Sequence, residues 1–527
     1  MSNTDLPAKF ANPKLTLFAF HLRNNLAQGL EETVENANLL WEQCQNLGQK
    51  LGVNRLETLI SKLKKDNNNK IGIFPGNENP VSNYLELLTS EKFIDFSATP
   101  NSSSLKIRGE VYPLQIHDTF AVDITLRYPY FSVEIAQLSH LNPESYLSPN
   151  QIIQASLGKT FLLFAQPLEK VEDLQKLANA CIITLFPTIK PEKLLHYPPS
   201  SGYFLGSAIF EYDIREENSS KNLHVLVWLN CDAKTEELET EGSYYQPLIN
   251  LLCCRSKIIY TYTQSRWCNN QARRLYKQLE EKVAAFKTLP STRVERLTEL
   301  KRWLAEIPEL TLEYSRYLRD LEVHIKTIET NIKNYELFLN TLHNISIKDK
   351  DNLEFFQQFL KYSEETLTEQ IKVDLGYLNV GKQLFEQMIG TIRGIVEIEQ
   401  AESDRNLQKT IQAVGFSIGA AGIVATSAPY WIKQNPREIL INKPFTSHSL
   451  NTFTLVLVLS FFTGLATWVI ISVIINSKNW IAGVKYWFSS KVGNKKNQAS
   501  LPSSANQPVQ ITSGQKEPEQ TSISQNN

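Results

Sequence analysis

The sequence predicts an α/β or α+β cytoplasmic domain, followed by a long antiparallel helical stalk and a two-helix transmembrane hairpin. Three observations carry this reading. Short β-rich runs alternate with amphipathic stretches before Trp267, apolar residues then recur at steps of three and four as far as the 400s, and two uncharged runs follow at 410–432 and 453–475.

The amino-terminal part carries strand patterns at 15–21, 120–126, 131–138, 161–165, 203–212, 223–229 and 257–263, rich in β-branched and aromatic residues. Helical patterns lie at 30–47, 55–64, 171–180 and 246–253. Mixed elements on this scale suit an α/β or α+β domain, with 1–98 as an amino-terminal lobe and 99–266 as a mixed cytoplasmic domain. Composition bounds the function. Lys plus Arg number 54 against 55 Asp plus Glu, so no global charge excess points to nucleic acid. Six cysteines (Cys44, Cys181, Cys231, Cys253, Cys254 and Cys268) are too few for a disulfide framework and suit a reducing compartment. The apolar run at 15–20 lacks the cleavage pattern of a secretory signal.

Residues 267–409 read as the stalk, in three helices. The first spans 267–287 and ends before Pro290. The second opens on Thr292 with Glu295 three residues on, a capping-box spacing, and carries a seam of Leu297, Leu300, Leu304, Ile307, Thr311, Tyr314, Leu318, Leu321, Ile325, Ile328, Ile332, Tyr335, Leu339 and Leu342. Pro308 should kink it, because proline lacks the amide donor and clashes with the preceding turn. Asp351 and Glu354 open the third helix, which meets no proline before Pro429 and runs on into the first uncharged stretch. Heptads specify packing rather than function, so a hairpin that buries its own seam and an oligomeric stalk both remain open.

Residues 410–475 form the expected transmembrane hairpin, with Tyr430 and Trp431 ending the first span and Trp480, Tyr486 and Trp487 following the second. Basic residues outnumber those of the connecting loop on the flanks, which puts both termini in the cytoplasm. A basic interfacial segment at 476–496 and a disordered Ser/Gln/Asn/Pro-rich tail at 497–527 complete the chain.

The search for chemistry finds little. Gly158-Lys159-Thr160 resembles the end of a phosphate-binding loop, but Ile153 stands where the earlier glycine is required and a strand-like FLLF follows. The eight histidines form no metal-binding pair, and Cys253 and Cys254 point to different faces of a helix. No catalytic constellation, metal site or cofactor motif emerges, so an enzyme is not expected. In the first span Gly415, Gly419, Gly422 and Thr426 fall on one face, with Gln412 beside them. Such small residues either pack the two spans together or let copies of the span surround a water path. Glu397, Glu399, Glu402 and Asp404 lie just before it, as a solvated helix face or as carboxylate rings at a pore mouth in an oligomer.

This order of parts resembles the CorA family of divalent-cation channels: a cytoplasmic α/β domain, a helical hairpin, a long helix entering span one, a short loop, a second span and a basic carboxyl terminus. The family's glycine-methionine-asparagine signature is replaced here by Thr426-Ser427-Ala428-Pro429-Tyr430, and the loop at 433–450 is net basic where the family's is acidic. The resemblance therefore implies topology, a lipid bilayer and a homo-oligomer, but no selectivity residue. Two expectations follow: a CorA-like two-span protein with cation transport, or a non-conducting membrane-anchored scaffold or sensor whose cytoplasmic domain binds a protein partner.

Overall fold

The fourteen-residue run KFANPKLTLFAFHL, buried at nearly every position, demands a place with neighbours on both edges and both faces. A computed structural model gives it one. The structure describes residues 9–24, 33–66, 69–72, 84–99, 106–128, 132–215, 222–434 and eight positions between 461 and 473. The chain divides into two compact units, Met1–Gly394 and Ile395–Asn527.

In the first unit the strands are β1 (Lys9–Leu22), β2 (Tyr84–Glu86), β3 (Ile94–Ala98), β4 (Ile107–Ile116), β5 (Thr119–Arg127), β6 (Ser132–Glu134), β7 (Gly158–Pro167), β8 (Ser200–Phe204), β9 (Ser207–Ile214) and β10 (Leu223–Leu229). They form one mixed sheet in the order β2-β4-β5-β1-β7-β10-β9-β8, with β3 also on β4 and β6 on β1. The β7–β10 pair is parallel and the other pairs are antiparallel. β1, from the segment before Thr99, lies between β5 and β7 from the segment after it, so both segments share one sheet. Its register shifts between Ala11 and Lys14, where Asn12 takes a positive φ and Pro13 has no amide to give the ladder.

One sheet face carries Leu15, Leu17, Val122, Ile124, Phe161, Leu163, Val225 and Val227, which form the main apolar core. Against it pack α1 (Leu39–Leu51), the single turns α2 (Asn54–Glu57) and α3 (Leu59–Lys62), α4 (Leu174–Leu185) and α5 (Pro191–Leu194). A short α6 (Ala233–Glu241) follows β10 and ends on Gly242, whose φ of 75° closes the helix.

The opposite face is crossed by α7 (Tyr245–Phe286), a single helix of 42 residues. It absorbs the expected helix at 246–253, the expected strand at 257–263 and the first stalk helix. KIIYTYT has strand propensity, but Ile258 and Thr261 are buried on a helical face, and packing overrides the local preference. The expected strand at 203–212 is two strands, β8 and β9, turning at Leu205-Gly206, where both residues have positive φ. Strands β2, β3 and β4 had not been anticipated.

α8 (Arg293–Ile345) runs back along α7. Eleven of the fourteen anticipated seam residues are buried, while Leu297, Leu304 and Thr311 are half-buried. Thr292 is the N-cap, but its hydroxyl donates to the Glu295 carboxylate at 2.6 Å instead of capping a backbone amide. The helix is continuous through Pro308, which faces solvent. α9 (Glu354–Tyr362), a π-helical turn over Ser363–Thr368 and α10 (Glu369–Gln434) follow one another without a break, so the third helix is continuous and carries one π-helical turn. Within Met1–Gly394 the stalk is thus three helical layers, joined by Tyr314 Oη donating to Leu378 O at 2.6 Å and by Arg266 against Asp374 at 2.5 Å.

The expected two-span hairpin and the membrane localisation with cytoplasmic termini are corrected. Among the described residues no helix is long and apolar enough to cross a membrane. The run at 410–432 is helical within α10, yet eight of its 23 residues are Gly, Ser, Thr or Gln, and freedom from charge is a weaker property than apolarity. Of the run at 453–475 only eight positions, between 461 and 473, are described, and 476–496 and 497–527 lie outside the described residues. Membrane and ion-transport assignments therefore lose their structural footing.

Candidate functional site

The α7-facing side of the sheet is where the polar residues collect. Cross-strand pairing lines up Tyr112, Asp123, Phe18, Thr160, His224 and Asp213 in one row over β4, β5, β1, β7, β10 and β9. Period-two alternation places Glu211 beside Asp213 on the same face. α7 covers this row, and each polar group that it covers must find a partner or lose hydration without return.

Two ends of the row are closed by α7 itself. At one, Tyr245 Oη donates to Asp123 Oδ2 at 2.7 Å and the Thr125 hydroxyl donates to Oδ1 at 2.8 Å. Burial pushes the Asp123 carboxyl up to about 6, although both hydrogen bonds pull the other way. At the other, Arg255 Nη2 lies 2.8 Å from Asp213 Oδ2, with Glu211 Oε1 3.7 Å from its Nε. Arg215 donates to the same Asp213 oxygen through Nε and Nη2 at 2.9 and 2.7 Å. Burial would raise the Asp213 carboxyl, but the two arginines hold it well below the usual carboxylate range. His224 Nε2 donates to Glu211 Oε1 at 2.9 Å, which leaves Nδ1 to accept from the Thr160 hydroxyl at 2.8 Å. Burial, helped by Arg255, lowers the His224 value and keeps the ring neutral. The same cluster reaches the stalk, since the Arg255 guanidinium stands 4.9 Å over the Phe359 ring and that of Arg215 5.7 Å over Tyr362, both on α9.

Next to this cluster a cleft of about 360 Å³ opens at the starts of β7 and β10. Its floor includes Gly158 at φ 138°, where an added Cβ would stand 3.6 Å from Ser256 Oγ. One wall is α7, which presents Ser256, Tyr260 and Gln264 at successive steps of four. Arg215, Arg255 and Lys159 line it with a single acidic residue, Asp213. His21 is fixed within the wall, its Nε2 donating to Asn36 O at 2.9 Å and its Nδ1 accepting from Ser156 N at 3.1 Å. Burial lowers its value against the pull of the Asn36 carbonyl.

Lys159 shows what became of the loop-like Gly158-Lys159-Thr160. The residues open a strand, and the Lys159 amine donates to the carbonyls of Leu147, Ser148 and Ile153 at 3.3, 3.1 and 2.8 Å. Burial brings the amine down to about 7, while the three carbonyls use all three protons of the charged form. The side chain ties down the 147–153 segment instead of reaching a phosphate. Cys253 and Cys254 are both buried thiols, and among the described residues no group of three His, Cys, Asp or Glu is placed to hold a metal ion.

The residues singled out near the 400s lie elsewhere, on α10 in the second unit. Glu397 and Glu402 are exposed and Glu399 is buried, so these carboxylates do not share one environment. Gln412 and Gly415 are exposed, while the side-chain surroundings of Asp404, Gly419, Gly422 and Thr426 lie outside what the structure describes. Apart from Gly158 and Lys159 the cleft residues were missed, although two signals existed. Glu211, Asp213 and Arg215 alternate in an otherwise apolar strand, and Arg255 interrupts the apolar run INLLCC–SKII of α7.

No family model matches the chain, and neither a curated protein nor a solved structure matches it.

Proposed function

We propose that this chain is a non-enzymatic binding module of the sensor type: a small ligand enters the cleft of the α/β head, and its occupancy is passed along α7 to the helical stalk. The observation that supports it is the shared helix. Ser256, Tyr260 and Gln264 of α7 face the cleft, and residues of the same helix from Arg266 onward pack the stalk. A helix anchored by Arg255 in a buried ion cluster and by Tyr245 on Asp123 is stiff enough to carry a displacement from one end to the other. His21 and His224 are each engaged at both ring nitrogens, and the one hydroxyl that meets either ring, that of Thr160 on His224, is buried, which favours binding over catalysis.

The test is a panel of neutral and anionic metabolites screened by thermal shift, followed by hydrogen exchange and mass spectrometry of the compound. A binder should raise the melting temperature, come back chemically unchanged and slow amide exchange in residues 266–286. Conversion of the bound compound would mark an enzyme. Protection confined to the cleft would remove the relay.

A further inference from the structure

Resting on that reading, we infer that the cleft takes a small organic oxyanion, a phosphate ester or polycarboxylate of about nucleotide size. The stripe Ser256–Tyr260–Gln264 carries the body of the ligand, and Arg215 meets its charged group.

The wall of α7 is chemically unfinished. The side chains of Ser256, Tyr260 and Gln264 make no hydrogen bond within the described chain, although they follow one another along a single helical stripe and all face the cleft. Elsewhere on the same helix Asn250 donates to Gln246 O, Thr263 to Ile259 O and Ser265 to Tyr262 O, while the buried hydroxyl of Thr261, away from the cleft, has no partner among the described residues. Three donors left over at a spacing of four, on the one face that looks into a cavity, are what a polar ligand would complete. Opposite them the bare backbone of Gly158 keeps the floor open, since any side chain there would point at Ser256.

The sign of the ligand follows from the rim. Of the three basic residues that line the cleft, Arg255 is shared between Asp213 and Glu211 and burial brings the Lys159 amine down to about 7, so Arg215 is the cation left to meet an oxyanion. Arg255 is buried and committed to Asp213 and Glu211, and Lys159 is committed to three carbonyls. Arg215 differs, because its side chain is 37% exposed and it uses only Nε and Nη2 on Asp213. Its remaining guanidinium donors are therefore open to an incoming oxyanion, in the planar geometry that favours carboxylate and phosphate. A volume of about 360 Å³ is at the small end of organic ligand sites, enough for a nucleotide-sized molecule.

The proposal is tested by calorimetric titration of the full chain with adenosine monophosphate, citrate, inorganic phosphate and adenosine at constant ionic strength. At least one of the organic anions should bind, with adenosine far weaker. Arg215→Gln should weaken that binding about tenfold or more, and Ser256→Leu should abolish it, with both variants keeping the parent far-ultraviolet spectrum and unfolding cooperatively. Adenosine binding as tightly as its monophosphate, an unchanged affinity in R215Q, or no binding by either adenosine monophosphate or citrate overturns the assignment. Should a neutral compound bind and slow exchange in 266–286, the sensor reading stands and the oxyanion assignment falls. Should an anion bind without slowing that exchange, the oxyanion assignment stands and the relay to the stalk falls.

Discussion

Asp123 is a carboxylate under a helix, reached by two hydroxyls and no cation within hydrogen-bonding distance. Its folded value of about 6 lies above the roughly 3.9 of an unfolded aspartate, so the folded chain holds the proton more tightly. The stabilisation is fully present below about pH 4 and is lost as pH rises through about 6. We predict that Asp123→Asn removes a fall of roughly 2 kcal/mol in unfolding free energy between about pH 4 and pH 8, measured by urea denaturation of both proteins across that range. Asp118 has the opposite sign. Burial would raise its carboxyl, but the Lys257 ammonium bonded to it prevails and holds it low, so its contribution is present above about pH 4 and disappears as acid protonates it. Arg255 gives the largest single-residue effect expected here. Arg255→Met leaves the nearly buried Glu211 without a cation and Asp213 with Arg215 alone, and should cost about 3 kcal/mol in the same assay; a loss under 1 kcal/mol would show that the cluster is solvated.

At the scale of elements, the stalk is held to the head at a second place besides α7. The connection between α8 and α9 lies against the β8–β9 turn, where Asp351 accepts from the amides of Leu205, Gly206 and Ile347 at 2.8, 2.6 and 2.9 Å. Tyr203 and Asn352 exchange two backbone hydrogen bonds at 2.9 Å, and Gly202 leaves room for the Asn352 carbonyl. Asp351→Ala should cost roughly 2 kcal/mol and open residues 346–353 to limited proteolysis while the sheet stays intact. The Asp351–Glu354 spacing in the sequence had pointed to a helix start. The start is there, at Glu354, but the carboxylate serves the tertiary contact, a use that no local pattern encodes. Legibility followed the same divide. The α8 seam could be read because its period is carried by one face of one helix, whereas β2, β3 and β4 are short or carry Gly109 and Pro113 inside a strand. Gly109 is tolerated in β4 because the Phe96 ring of β3 lies over it. The cleft was legible only in fragments, as Gly158-Lys159 and the alternation of Glu211, Asp213 and Arg215, since its residues come from β1, β7, β9, β10 and α7 and meet through sheet order alone.

For the first unit as a whole, α7 is the member common to sheet, cleft and stalk. If head and stalk move as one body, disturbance of the ion cluster must travel. The three-helix packing adds its own constraint at Gly381, where a Cβ would stand 2.5 Å from Tyr314 Oη and 2.7 Å from the Tyr276 ring. Gly381→Leu should therefore lower the melting temperature by several degrees, roughly the effect of 2 kcal/mol, and should leave affinity for any cleft ligand within a factor of about two, because the strain sits in the stalk. The most direct measurement of the shared helix is residue-resolved hydrogen exchange of the parent chain and of Arg255→Met. Amides at 255–264 and at 266–286 should lose protection together in the variant; loss at 255–264 with unchanged protection at 266–286 would contradict a helix that couples head to stalk.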